Sequence, residues 1–138
     1  MNQDADKFVG NVADAELKLL RVLWDRGRST AREITELTYG HGTPTQIATV
    51  QKLLQRLEAK GLVRRDRSEH VHGFEATVSR TELAGNQLEQ MAGRLTEGSI
   101  VPFLTHLVEA KKLSKRERDQ IRSLLEEGPG KKKSEERK

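Results

Sequence analysis

The sequence predicts a mainly α fold with a small β-hairpin. Three observations predict it. Amphipathic helices with their own start signals fill the first half. Two short alternating strands follow at once. The rest is helical, with apolar stripes too narrow to fold alone. The expected organisation is a flexible leader over 1–12, a helix-and-hairpin head over 13–79, a helical arm over 80–127 and a disordered basic tail over 128–138.

The first helix is expected over Asp14–Asp25. It carries Leu17, Leu20, Val22, Leu23 and Trp24 among charged residues, and Gly27 ends it. Thr30 and Glu33 form a capping box, in which the hydroxyl takes one free N–H and the carboxylate returns to another. That box opens a second helix, Ala31 to about Thr38, with Ile34 and Leu37 inward. Tyr39 to Gly42 is a turn. The third helix has Thr43 as N-cap, Pro44 at the first helical position and Gln46 to complete a second box. Ile47, Val50, Leu53, Leu54 and Leu57 make one apolar stripe, and Gly61 is the stop.

Leu62–Arg67 and His72–Val78 read as strands, with Phe74, Ala76 and Val78 on one face and Ser68–Val71 as the turn. Helix, helix, helix, hairpin is the order of a winged helix-turn-helix. In the arm, Leu83, Leu88, Met91 and Leu95 form a thin stripe ending at Gly98. Ser99 can cap a short apolar helix running to Lys112. Ser114 and Glu117 box a last helix. Ile100, Val101, Phe103, Leu104, Leu107, Val108, Ile121, Leu124 and Leu125 need a covering surface, which a second copy or the head itself would supply. The expected cover is a homodimer interface. Gly128-Pro129-Gly130 breaks the chain, and Lys131–Lys138 is too polar to pack.

Composition narrows the function classes. The chain has 138 residues, of which 33% are charged, and no run long and apolar enough for a membrane span. Its start lacks a basic-then-apolar signal pattern. It has no cysteine, which excludes disulfides and thiolate metal sites and permits a reducing compartment; the expected location is the cytoplasm. Net charge is +4, and Ile47–Arg67 alone holds six basic residues against two acids. Such a cluster is the footprint of a polyanion binder or an unevenly charged solvated surface.

The outer face of the third helix resolves that choice toward DNA. Ala48, Thr49, Gln51, Lys52, Gln55 and Arg56 lie opposite the apolar stripe. Gln pairs two-pronged with adenine and Lys with guanine, while Thr offers a hydroxyl and a methyl. Thr49, Gln51 and Lys52 are the expected base readers; Thr45 and Arg56 are expected on phosphate. Arg64, Arg65, Arg67 and His70 sit on the hairpin, where they would hold the DNA backbone or guard a sheet edge. The competing class is a protein–protein adapter on the same fold, which should show apolar or acidic groups on that face instead.

These residues carry a family resemblance. Asp14–Trp24, Thr30-Ala31-Arg32-Glu33-Ile34, Ala48-Thr49-Val50-Gln51-Lys52-Leu53-Leu54 and Arg56-Leu57-Glu58-Ala59-Lys60-Gly61-Leu62-Val63 resemble the penicillinase-repressor family of bacterial transcription regulators. The likeness continues through Val78-Ser79-Arg80, Gly98–Val108 and Leu113–Leu125. It implies a winged-helix head, a helical dimer arm and binding to dyad-symmetric operators near a promoter. It also implies release by one of two routes. One is cleavage of the arm, near Thr105–Val108 here, in a circuit with a membrane sensor protease. The other is metal binding by C-terminal cysteines. His106-Leu107 departs from the dipeptide of the first branch, and the cysteines of the second are absent. Ala13 also replaces the usual Ser or Thr cap, leaving Asp14 to complement the helix dipole.

No other chemistry is expected. His41, His70, His72 and His106 lack the three or four clustered groups of a metal site. Phosphate-loop, nucleophile-elbow and dinucleotide patterns are missing, so neither a cofactor nor an enzyme is predicted.

Overall fold

The computed structural model describes residues 11–128. The leader over 1–10 and the tail beyond Gly128 lie outside the described residues, as do the expectations about them. In chain order the elements are α1 (Asp14–Arg26), β1 (Ser29–Thr30), α2 (Ala31–Tyr39), α3 (Pro44–Ala59), β2 (Val63–Asp66), β3 (Gly73–Ala76), α4 (Arg80–Leu95), α5 (Val101–Glu109) and α6 (Lys115–Glu127). The fold is mostly helical with a small antiparallel sheet, a winged helix-turn-helix followed by further helices.

The apolar stripes make the core. Leu19 and Leu20 of α1, Ile34 of α2 and Val50, Leu54 and Leu57 of α3 are fully buried. Leu62, Val63, Phe74, Val78 and Leu83 close the same cluster from the sheet and from the first turn of α4. Each such side chain contributes roughly 1.5–3 kcal/mol by leaving water. Both capping boxes expected in the head form: Thr30 Oγ1 accepts from the Glu33 amide at 3.1 Å, and Thr43 Oγ1 from the Gln46 amide at 3.2 Å. In α1 only the return half exists, where Glu16 Oε1 accepts from the Ala13 amide at 2.9 Å. That carboxylate is buried, and Lys60 Nζ reaches it at 2.6 Å from the end of α3.

The structure corrects several expectations. Leu37 is 48% exposed rather than inward. The buried face of α2 follows Ala31, Ile34, Thr35 and Thr38, and Leu37 lies about 120° off that line. Thr35 is buried because its hydroxyl donates to the Ala31 carbonyl at 2.6 Å. The hairpin strands are shorter than expected, and Ser29–Thr30 adds a third strand, giving the order β1-β3-β2. Register pairs Ser29 with Phe74, and Val63 with Ala76. Helix α5 starts at Val101, one residue later than a Ser99 cap would place it, and the Ser99 hydroxyl accepts from the Val101 amide at 3.3 Å. Glu82 caps back to Ser79 at the start of α4, a box beyond those expected.

The chain divides into two compact units between Gln90 and Met91. The first therefore includes the opening turns of α4, past the head boundary expected at residue 79. In the second, no residue of α5 or α6 is buried. No described helix is long and apolar enough to cross a membrane.

The two faces of α3 should respond differently to truncation. Leu54→Ala should lower the unfolding free energy by about 2–5 kcal/mol. Gln51→Ala should change it by no more than about 0.5 kcal/mol. Urea titrations followed by circular dichroism measure both, and a large loss at Gln51 would mean its face is packed.

Candidate nucleic-acid interface

The outer face of α3 is uncovered. Thr45, Ala48, Thr49, Gln51, Lys52, Gln55 and Arg56 are all exposed. Among the described residues its side-chain hydrogen bonding is confined to Thr49 Oγ1, which donates to the Thr45 carbonyl at 3.2 Å. Lys52 and Arg56 have no ion-pair partner among the described residues. No carboxylate stands on this face, because the single acid of α3, Glu58, is turned toward the hairpin. Thr43, Pro44 and Gln46 cap the N-terminus of α3 without an acid.

The hairpin is fixed to α3 by one of its own cations. Arg65 reaches Glu58 with two prongs, Nη2 at 3.1 Å and Nε at 3.4 Å. Its guanidinium also lies 4.8 Å from the centre of the Phe74 ring. Arg64 pairs with Glu75 across the strands at 2.9 Å, yet stays well exposed. Arg67 is exposed with no partner among the described residues, and so is His70 at the turn. The strand carrying Arg64 is the sheet edge, so edge protection and backbone contact are both open to it.

Of the six basic residues in the cluster, Lys60, Arg64 and Arg65 are thus paired internally, while Lys52, Arg56 and Arg67 are not. Arg32 adds another cation with no ion-pair partner among the described residues. It stands in the first turn of α2 and lines, with Gln51, Gln55 and His70, an open groove of about 560 Å³ between α2, α3 and the hairpin. In the sequence Arg32 stands out only as part of the Thr30–Ile34 motif. The signal that finds it is position, since the first helix of a helix-turn-helix crosses the DNA backbone. His72 borders the same groove, its Nδ1 3.5 Å from Arg65. Among the described residues no group of three or more His, Cys, Asp or Glu could hold a metal ion.

Arg28 is a second residue that composition alone could not place. It precedes β1, donates from Nε to Asp66 at 2.7 Å and from Nη2 to the Val71 carbonyl at 3.4 Å. The guanidinium crosses directly over Gly73, where an added Cβ would come within 2.2 Å of Arg28 Cζ. Glycine is therefore the residue that lets this arginine tie the end of β2 to the turn that follows it. Hydrogen bonds from Ser68, then from Arg28, hold the Asp66 carboxyl well below the usual carboxylate range.

A family model described as penicillinase repressor matches residues 12–127 of the chain. The penicillinase repressor of Bacillus licheniformis is 22% identical over 127 residues, covering 92% of this chain and 98% of that one. Among solved structures, the transcriptional regulator Tm0710 from Thermotoga maritima aligns at 21% identity with a TM-score of 0.41, covering 75% of this chain and 80% of that one. The transcriptional regulator PA4135 aligns at 18% identity with a TM-score of 0.36, covering 74% and 79%.

The Asp66 tie has a pH signature. A depressed folded pKa contributes stability that is present above the ordinary value, about 3.9, and is lost as pH falls below it. The Asp66 carboxyl carbon shift should stay flat by NMR from pH 7 to about 4. Arg28→Gln should move its titration upward. A titration unchanged by that substitution would show that Arg28 contributes nothing to the tie.

Proposed function

Since the chain belongs to the penicillinase-repressor family, whose members are transcription regulators and not enzymes, we propose that it represses transcription by binding dyad-symmetric operator DNA as a homodimer. Helix α3 lies in the major groove and the hairpin rests on the neighbouring backbone. The observation that carries this reading is the free polar and basic face of α3. A groove-reading helix needs such a face, and an adapter using it would need apolar or acidic groups there.

Roles follow from placement. Thr49, Gln51 and Lys52 occupy the middle of the exposed face and read bases; Gln55 and the Ala48 methyl complete the readable surface. Thr45 and Arg56 flank it and take phosphates, as do Arg67, His70 and the outer guanidinium of Arg64. Arg65 acts through Glu58 and holds the hairpin at a fixed distance from α3. Two heads bound to half-sites about 34–36 Å apart, or a multiple of that, would match one face of the duplex.

The arm, residues 80–127, supplies the second copy. Ile100, Val101, Val108, Leu124 and Leu125 are exposed in the single chain, and Phe103, Leu104, Leu107 and Ile121 are half-buried. Covering such surface is the usual driving force for obligate pairing. Work on DNA places the protein in the cytoplasm. Release by a membrane sensor protease remains part of the proposal only by family likeness. Thr105–Val108 lies inside α5, so a protease would first have to unwind that helix. A cysteine metal cluster has no counterpart in this chain.

Fluorescence anisotropy on the gene's own upstream DNA should show binding that weakens steeply with salt, because phosphate contacts release counterions. Binding that ignores salt would sink the reading. Gln51→Ala and Lys52→Ala should each cost about 1–3 kcal/mol on the operator and relax base preference, whereas Arg67→Ala should weaken all sequences alike. Equal losses on every sequence at Gln51 would move it to the backbone set. Phe103→Asp should turn the dimer into monomers in sedimentation runs, since a charge cannot be buried there unpaired. A dimer that persists would place Phe103 outside the interface.

A further inference from the structure

We propose that the crevice between α1 and the start of α4 is a binding site for a small molecule that joins a ring-sized apolar body to a carboxylate. The cavity holds about 370 Å³, which falls in the range of small-ligand pockets. Val12, Leu17, Trp24, Leu83 and Ala84 make its apolar wall. Arg21, Arg80 and Gln87 provide the polar groups, and among the described residues no acid lines the cavity. An apolar floor beneath two guanidinium groups suits an amphiphilic anion, because carboxylates take two-pronged hydrogen bonds from arginine.

Both cations are available. Arg21 is exposed and has no ion-pair partner among the described residues. Arg80 lies 5.2 Å from the centre of the Trp24 ring and touches Asp25 at 3.3 Å, a pair in which both side chains are more than 60% exposed. Exposed pairs of this kind are worth little, so a ligand carboxylate can replace Asp25 at small cost. The Trp24 indole is fixed in the wall, its Nε1 donating to the Val78 carbonyl at 2.8 Å. The ring therefore presents a set face to a ligand, and Arg80 already marks where a partner for that face sits.

The position gives such a ligand leverage. Trp24 holds the segment that leaves the hairpin sheet, and Leu83 anchors the first turn of α4 in the core. A molecule wedged among them acts on the connection by which the head passes into α4. This inference does not depend on the DNA reading, since none of the lining residues belongs to the exposed face of α3.

The test uses the full chain without DNA. Trp24 is the one tryptophan of the protein, so its emission reports on the cavity directly. Titration with 3-phenylpropionate should change that emission saturably, with binding about tenfold tighter than for the neutral 3-phenylpropanamide. Arg21→Gln, a surface change that leaves the core intact, should remove that preference; Arg80→Lys should weaken it. Backbone amide shifts at Leu83 and Ala84 should move with the emission. The proposal is overturned by any of four results. There could be no saturable change up to about 10 mM probe. The amide could bind equally well. Shifts could be confined to other parts of the chain. The Trp24 signal could follow protein concentration instead of probe, which would make a second copy the occupant.

Discussion

Helix α3 has to be inserted and bare at once, and the rest of the head is arranged around that requirement. Val50, Leu53, Leu54 and Leu57 sink one side into the core. The other side keeps seven residues in water with almost no internal bonds. The division follows from helical periodicity: apolar positions three and four apart collect on one side and leave a polar stripe opposite. Helices α1 and α2 close over the inner side, Gly61 releases the chain into β2, and the hairpin doubles back beside α3. With φ at +80° at Gly61, the Leu62 amide returns to the Leu57 carbonyl, so the stop and the start of the sheet are one turn.

Counting cations along the chain overstates what they do at the surface. Lys60 neutralises a buried carboxylate, and Arg65 is held by Glu58 and Phe74. Lys60 spares the buried Glu16 carboxylate the cost of standing unpaired, whereas the partly wetted Arg65 pair adds less. Both also contribute geometry. Lys60 fastens the end of α3 to the beginning of α1, and Arg65 sets the spacing between α3 and the hairpin. Arg28 does the same within the sheet, reaching Asp66 and the Val71 carbonyl across Gly73. A basic cluster can thus be half scaffold, leaving its charge for a partner to Lys52, Arg56 and Arg67, joined by Arg32.

Start signals were the most legible part of the fold. The boxes at Thr30, Thr43 and Ser114 form as their residue types require, because each answers a local shortage of hydrogen-bond partners. The Ser79 and Glu82 box carries the same local signal. Leu37 is apolar but sits off the inner line of α2, whereas Thr35 satisfies its hydroxyl locally and takes the inner place. Two-residue β1 could not be seen from its own residues, since its strand character comes from pairing with Phe74 and Gly73. For the candidate site, the stripe on α3 was written in the spacing. The internal pairing of Arg64 and Arg65, and the reach of Arg28, depend on contacts between distant segments that no local pattern encodes.

The second unit leaves its apolar side chains wet, with Val101 62% and Leu125 77% exposed. In the proposed assembly that surface meets its like, so folding and pairing share one equilibrium. The amount of protein present then becomes a variable in its own right. Dilution would melt the arm and disarm both heads together, and a small change in copy number would be felt as a larger change in occupancy on the DNA.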